Sequence, residues 1–178
     1  MLNSEEIPQW FAMRATYRRE LKAKSLLEAA SLVTFIPMKY APAKENKNKR
    51  QLVPAISNLI FVNATPSRLQ QVKAKIPFLQ YMIDARSREK VTVPHSQMKQ
   101  FIAISGTWHE QLLYFTPQEL DLAKGTRVRI SGGEFKGHEG VFVKVKGARD
   151  RRVVVQIQGI VAVAMATIHP DFIEPICS

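Results

Sequence analysis

Four histidines, one cysteine and two glycine-flanked serines are the residues whose types could do covalent or metal chemistry. His95, His109, His138 and His169 are well separated and lack the paired spacing of a metal site. Cys177 stands alone near the C-terminus and can form no internal disulfide, as befits a reducing compartment. Ser105 and Ser131 sit in no nucleophile elbow. Gly132-Gly133 and Gly137 with Gly140 match neither a phosphate-binding loop nor a dinucleotide fingerprint. These residues therefore point away from catalysis, with no cofactor and no metal, and towards a protein that works by holding partners.

Charge says what kind of partner. The chain of 178 residues carries a net charge of +11. Residues 1–104 hold 17 Lys/Arg against 7 Asp/Glu, and residues 105–178 hold 9 against 8. A basic half and a near-neutral half suggest two domains with different tasks, the basic one suited to nucleic acid or an acidic protein surface. Nearly half the residues are apolar, which predicts a folded protein. No window approaches the ~20 apolar residues that cross a bilayer. The start, MLNSEEIPQW, is acidic where a signal peptide is basic, so a cytoplasmic protein is expected, with no membrane partner.

The elements that must position such binding surfaces follow from periodicity. Trp10–Thr16 reads as a first strand. A helix is predicted from Arg18 to Ala30, with Ala23, Leu26, Leu27 and Ala30 as its apolar stripe. Val33–Tyr40 reads as a second strand, with Pro37 suggesting an edge position or a bulge. Ala43–Gln51 holds Lys44, Lys47, Lys49 and Arg50 and reads as a hairpin tip. Leu59–Val62 is a buried strand, and Thr65-Pro66 caps a helix to about Lys75. Phe78–Ile83 is the fourth strand, and Val91-Thr92-Val93-Pro94 leads to a third helix bearing Met98, Phe101 and Ile102. The order β-α-β-β-α-β-α predicts an α+β fold, a split βαβ sandwich of helices on an antiparallel sheet.

Ser105–Lys124 is too apolar for a flexible linker, and Thr116-Pro117-Gln118-Glu119 resembles a capping box, so a short helical turn is expected there. From Gly125 onward, Arg127-Val128-Arg129-Ile130, Val141–Val145 and Val153–Ile157 alternate with Gly-rich turns, which predicts a small, strongly bent β-module of short strands. Gly137 is expected at a positive φ. The domains are expected at 1–104, 105–123 as apolar linker, and 124–178.

Lys124-Gly125-Thr126-Arg127-Val128-Arg129-Ile130 through Phe135-Lys136-Gly137-His138-Glu139-Gly140 resembles a KOW motif, with an SH3-like barrel. Gln158-Gly159-Ile160 to Ile168 and Asp171–Ile176 are similar to its last strands. Trp10-Phe11-Ala12-Met13, Phe35-Ile36-Pro37, Asn58-Leu59-Ile60-Phe61-Val62 and Val91-Thr92-Val93-Pro94 resemble, in order, the N-terminal domain of the NusG family of transcription elongation factors. WFAMRATYRRELKAK, NLIFVNAT, PFLQYM and VKGARDRRVVVQIQG look like the specialised UpxY-type antiterminators of capsular polysaccharide operons.

The resemblance implies a monomeric transcription factor that is not an enzyme. Its expected partner is RNA polymerase, bound at the β′ clamp helices and the β gate loop. By position, clamp-helix binding falls to Ile56, Leu59, Phe61, Met98 and Phe101, and gate-loop contact to Gln70 and Gln71. Ser57-Asn58-Leu59 stands where the family usually has Pro-Gly/Asn-Tyr, which thins the aromatic rim of that pocket. Arg14, Arg18, Arg19, Lys22, Lys73 and Lys75 are expected to meet non-template DNA or nascent RNA. Phe135 and Ile160 are the expected contacts of the KOW domain with Rho or a ribosomal protein. A housekeeping factor and a KOW-containing ribosome-associated protein are the alternative readings.

Overall fold

The computed structural model describes residues 7–157 and 159–177. The acidic start up to Glu6, and Gln158 of the C-terminal motif, lie outside the described residues. In chain order the elements are β1 (Gln9–Ala15), α1 (Glu20–Ala29), β2 (Val33–Phe35), β3 (Met38–Pro42), β4 (Arg50–Pro54), β5 (Leu59–Ala64), α2 (Pro66–Lys73), β6 (Leu79–Tyr81), β7 (Thr92–Val93), α3 (His95–Ser105), β8 (Leu113–Phe115), β9 (Thr126–Ile130), β10 (Glu139–Lys144), β11 (Arg151–Ile157), β12 (Val161–Ala164) and β13 (Ile173–Pro175). The chain divides into two compact units, Met1–Met38 with Val53–Met98, and Lys39–Leu52 with Lys99–Ser178.

The first unit is an antiparallel sheet in the order β2-β5-β1-β6, with β7 also pairing to β1. Side chains alternate across a sheet, and Phe11, Met13 and Ala15 of β1 join Ile60, Val62 and Ala64 of β5 in one buried cluster. Ala23 and Leu27 of α1 and Leu69 and Val72 of α2 complete it, so both helices cover that face. The fold is the expected α+β arrangement of helices on an antiparallel sheet.

Local chemistry explains most boundaries. Thr65 caps α2 by accepting the Arg68 N–H at 3.3 Å, with Pro66 in the first turn where no N–H is needed. The expected second strand breaks into β2 and β3 around Pro37, which has no N–H to continue a ladder. The Pro37 carbonyl is still used, accepting from Ala55 N at 2.8 Å. α1 begins at Glu20 and not at Arg18, because the two residues before Arg19 adopt left-handed backbone conformations. Leu26, expected on the buried stripe of α1, is instead 41% exposed. The stripe is narrower than its spacing suggests, with Ala23 and Leu27 carrying the burial.

The second unit is a six-stranded antiparallel sheet, β13-β9-β10-β11-β12-β8. Its core includes Phe115, Val143, Val145, Val154, Ala162 and Ala164. Leu113–Phe115, in the stretch expected to turn helically, is strand β8 paired to β12. Arg152 secures this region by donating from Nη1 to the Met165 carbonyl at 2.9 Å and reaching the Gln111 carbonyl at 3.5 Å. The Ser105 and Tyr114 hydroxyls are 2.6 Å apart, and burial raises the Tyr114 pKa against the opposing effect of that bond. Only half of a capping box forms: Thr116 donates its N–H and its hydroxyl to Glu119 Oε2 at 2.7 and 2.9 Å, while the Glu119 N–H bonds the Thr116 carbonyl at 3.0 Å and not its hydroxyl. They close a turn, and a single 3₁₀ turn follows at Leu122–Lys124. The basic tip between β3 and β4 belongs to this unit, folded by an Asn46 side chain that accepts the Asn48 N–H at 3.0 Å. Arg50 lies 5.8 Å from the Tyr40 ring centroid and 3.2 Å from Glu110.

Candidate functional site

The most built surface feature of the first unit is the turn that joins β1 to α1. Tyr17 (φ 59°) and Arg18 (φ 55°) are both left-handed, a conformation that costs a non-glycine residue about 1–3 kcal/mol. A network of bonds from distant residues holds it. Thr16 N donates to the Phe78 carbonyl at 2.9 Å, and Ala15 N to the Asn58 carbonyl at 2.8 Å. Arg18 N donates to Asn58 Oδ1 at 2.8 Å. Asn58 is itself left-handed (φ 68°), and its N–H donates to the carboxylate of Glu20. Glu20 is 2% exposed in the first turn of α1, where the helix dipole favours a negative charge.

This arrangement puts the Tyr17 ring in solvent, 82% exposed, in a stretch where Arg14, Arg18, Arg19 and Lys22 are exposed as well. The Arg19 guanidinium lies 5.3 Å from the Tyr17 ring centroid and 5.0 Å from that of Phe78, and Lys22 Nζ lies 5.7 Å from the latter. An exposed aromatic ring beside a guanidinium, in a basic stretch, is the chemistry that stacks a nucleobase and neutralises phosphates. Arg18, Arg19 and Lys22 of the six expected nucleic-acid residues thus lie at one turn, whereas Arg14, between buried Met13 and Ala15 on β1, lies on the sheet face opposite the two helices. Lys73 does not join them. It sits 5.4 Å from the Tyr81 ring, beside Lys90 at 4.3 Å. In the β1–β6 register Arg14 is opposite Gln80, and Met13 opposite Tyr81, so Arg14 and Tyr81 are on opposite faces. Lys75 is exposed just after α2. Tyr17 was not singled out from the sequence. An aromatic residue inside the basic run Arg14–Lys22 is the signal that could have found it.

Leu59 and Phe61 lie on the face of β5 opposite Ile60 and Val62, with Phe61 opposite Ala12 in the β1 register. They are 4% and 0% exposed, and Met98 and Phe101, three residues apart on α3, are both 0%. Ile56 is half-buried in the turn before β5. Four of the five residues assigned to clamp-helix binding are therefore buried in this structure. Gln70 and Gln71 are exposed on α2. Gln71 lines a groove of about 530 Å3 between α1 and α2, and Gln70 does not.

In the second unit Phe135 is half-buried, edge-on to His138 at 6.1 Å between centroids. It lines a cleft of about 260 Å3 with His109, Ile130, Ile168, His169 and Phe172. Ile160 is half-buried in the turn between β11 and β12 and does not line that cleft. Gly137 has φ 91° with open space around it, so its backbone and not its surroundings demands glycine. Gly132 is the reverse case: a Cβ there would lie 2.6 Å from the Phe172 ring. Among the described residues no cluster of three or more His, Cys, Asp or Glu could hold a metal. Among the described residues no helix is long and apolar enough to cross a membrane.

The profile of the family described as Transcription termination factor nusG matches residues 8–106. A solved structure titled "Domain interaction in Thermotoga maritima NusG" is similar to the chain, with 17% identity and a TM-score of 0.51 over 97% of this chain and 99% of that one. No curated protein matches.

Proposed function

The chain belongs to the NusG family of transcription factors, and from that premise we propose that it regulates elongation by binding RNA polymerase. The more specific reading is an antiterminator that promotes processive transcription of a polysaccharide biosynthesis operon. It acts by binding, with a polymerase-binding part proposed at residues 1–104 and a KOW domain at 124–178, joined by the apolar stretch 105–123, of which Leu113–Phe115 is strand β8.

The observation that carries this reading is the strained turn bearing Tyr17. Its cations and exposed ring suit a single nucleic-acid strand, the substrate a polymerase-bound factor would meet beside an open transcription bubble. The clamp helices would engage the apolar face of Leu59 and Phe61, with Ile56, Met98 and Phe101, and the gate loop would meet Gln70 and Gln71. Because Leu59 and Phe61 are buried, that engagement requires the face to be uncovered. Phe135, in its cleft, and Ile160 are the proposed contacts for Rho or a ribosomal protein.

Transcription through a terminator-bearing polysaccharide-operon leader, with and without the protein, tests the proposal. Increased read-through is expected, and reduced read-through for Tyr17→Ala. Unchanged read-through on every such leader tried would defeat the antiterminator reading, while retained polymerase binding would leave the broader one standing.

A further inference from the structure

The groove between α1 and α2 has an aliphatic floor of Leu26, Ala30, Val72 and Ile76, and Arg68 and Lys75 on its rim. Its volume of about 530 Å3 lies within the range of sites that enclose a ligand group. Leu26 explains why it is open. Its position on α1 matches the helical spacing of a core residue, yet the side chain is 41% exposed. Arg68 Nη2 donates to the Ala30 carbonyl at 3.1 Å, which ties α2 to the C-terminal end of α1. Among the described residues no carboxylate lines the groove. The nearby Glu28 is engaged by Lys24 and by Thr34. The occupant must therefore satisfy apolar surface and two cations together.

We propose that this groove docks an acidic protein segment that inserts one or two bulky aliphatic side chains between α1 and α2 and places carboxylates on Arg68 and Lys75. A nucleic-acid strand fits less well, because the floor has no aromatic ring to stack a base, in contrast to the turn at Tyr17. The groove is distinct from the residues assigned to the clamp helices. It shares Gln71 with the proposed gate-loop contact, so the test avoids that residue, and it does not depend on polymerase binding.

The test titrates the full ¹⁵N-labelled chain with a helical probe peptide of about 16 residues, long enough to hold a helix. The probe is built from Glu and Ala with two leucines four positions apart. The amides of Leu26, Ala30, Val72, Lys75 and Ile76 should shift and saturate together. Leu26→Glu and Lys75→Glu should each weaken the probe by about tenfold, and Leu26→Met should retain it. Lys75→Glu keeps the test decisive if Leu26→Glu fails to fold, since Lys75 is exposed. Three control ligands accompany the probe: the same peptide with its leucines changed to alanine, laurate, and a single-stranded oligodeoxynucleotide. The proposal is overturned if the leucine-free peptide gives the same shifts, if the probe shifts basic residues across the surface without this set, if Lys75→Glu binds unchanged, or if laurate or the oligodeoxynucleotide saturates the groove where the probe does not.

Discussion

Asn58 Oδ1 accepts the backbone N–H of Arg18 at 2.8 Å, although the two residues are 40 apart in sequence. The bond locks one left-handed residue to another. Asn tolerates that backbone, and Ala does not. Asn58→Ala should therefore lose about 2 kcal/mol, one backbone penalty plus one hydrogen bond. Urea unfolding measures it, and an unchanged midpoint would mean the turn does not depend on Asn58.

Tyr17 tests the surface that this bond builds. With its ring 82% exposed, Tyr17→Ala should leave the unfolding midpoint where it is. Binding to fluorescent single-stranded DNA should weaken by ~1–3 kcal/mol, the worth of one stacked base. Equal anisotropy curves for both proteins would remove Tyr17 from the interface.

Burial changes how the clamp-helix assignment can be tested. Phe61 is 0% exposed, so Phe61→Glu would put an unpaired charge into the core and unfold the protein. Phe61→Leu and Leu59→Met keep an apolar side chain of similar size and should cost under ~1.5 kcal/mol. Folded variants with undiminished binding to isolated clamp helices would show that these side chains serve the core alone.

Gly132 and Gly137 should separate two reasons for glycine. Gly132→Ala drives a methyl group against the Phe172 ring and should cost ~1–3 kcal/mol. Phe172→Leu should relieve much of it. Gly137→Ala meets nothing, and its cost of about 1 kcal/mol comes from φ alone, with no rescue from Phe172→Leu. A double-mutant cycle reads the difference.

Glu119 should leave a mark on acid stability. The Thr116 backbone N–H and then its hydroxyl hold the Glu119 carboxyl below its usual range. A lowered folded-state pKa means the unfolded chain binds the proton first. The contribution is fully present above the ordinary carboxylate pKa of about 4.3 and disappears as pH falls through the lower folded value. Glu119→Gln should flatten the acid limb of the unfolding profile in that window. Parallel limbs for the two proteins would show that the carboxylate is immaterial there.

What could be read from residue order was whatever neighbours decide. Thr65-Pro66 announces the start of α2, and apolar alternation marks β1 and β5, because cap and pleat are local. The left-handed pair Tyr17-Arg18 was not legible. No glycine marks it, and the groups that hold it are Asn58 and Phe78, far along the chain. Leu26 misled for a related reason: helical spacing says which side a residue is on, not how far the neighbouring helix reaches. Leu113–Phe115 looked like part of a connector because a three-residue strand has too little periodicity to show, and its partner β12 lies about 50 residues later.

Strand β8 has a practical consequence for anyone who cuts this protein in two. A fragment begun at Lys124 would discard Leu113–Phe115 and strip β12 of one of its two neighbours. Val161–Ala164, buried along their whole length, would become an open apolar margin able to recruit a strand from another molecule. Arg152 would also lose Gln111. Such a fragment should self-associate, whereas one begun before Ser105 keeps its own margin closed.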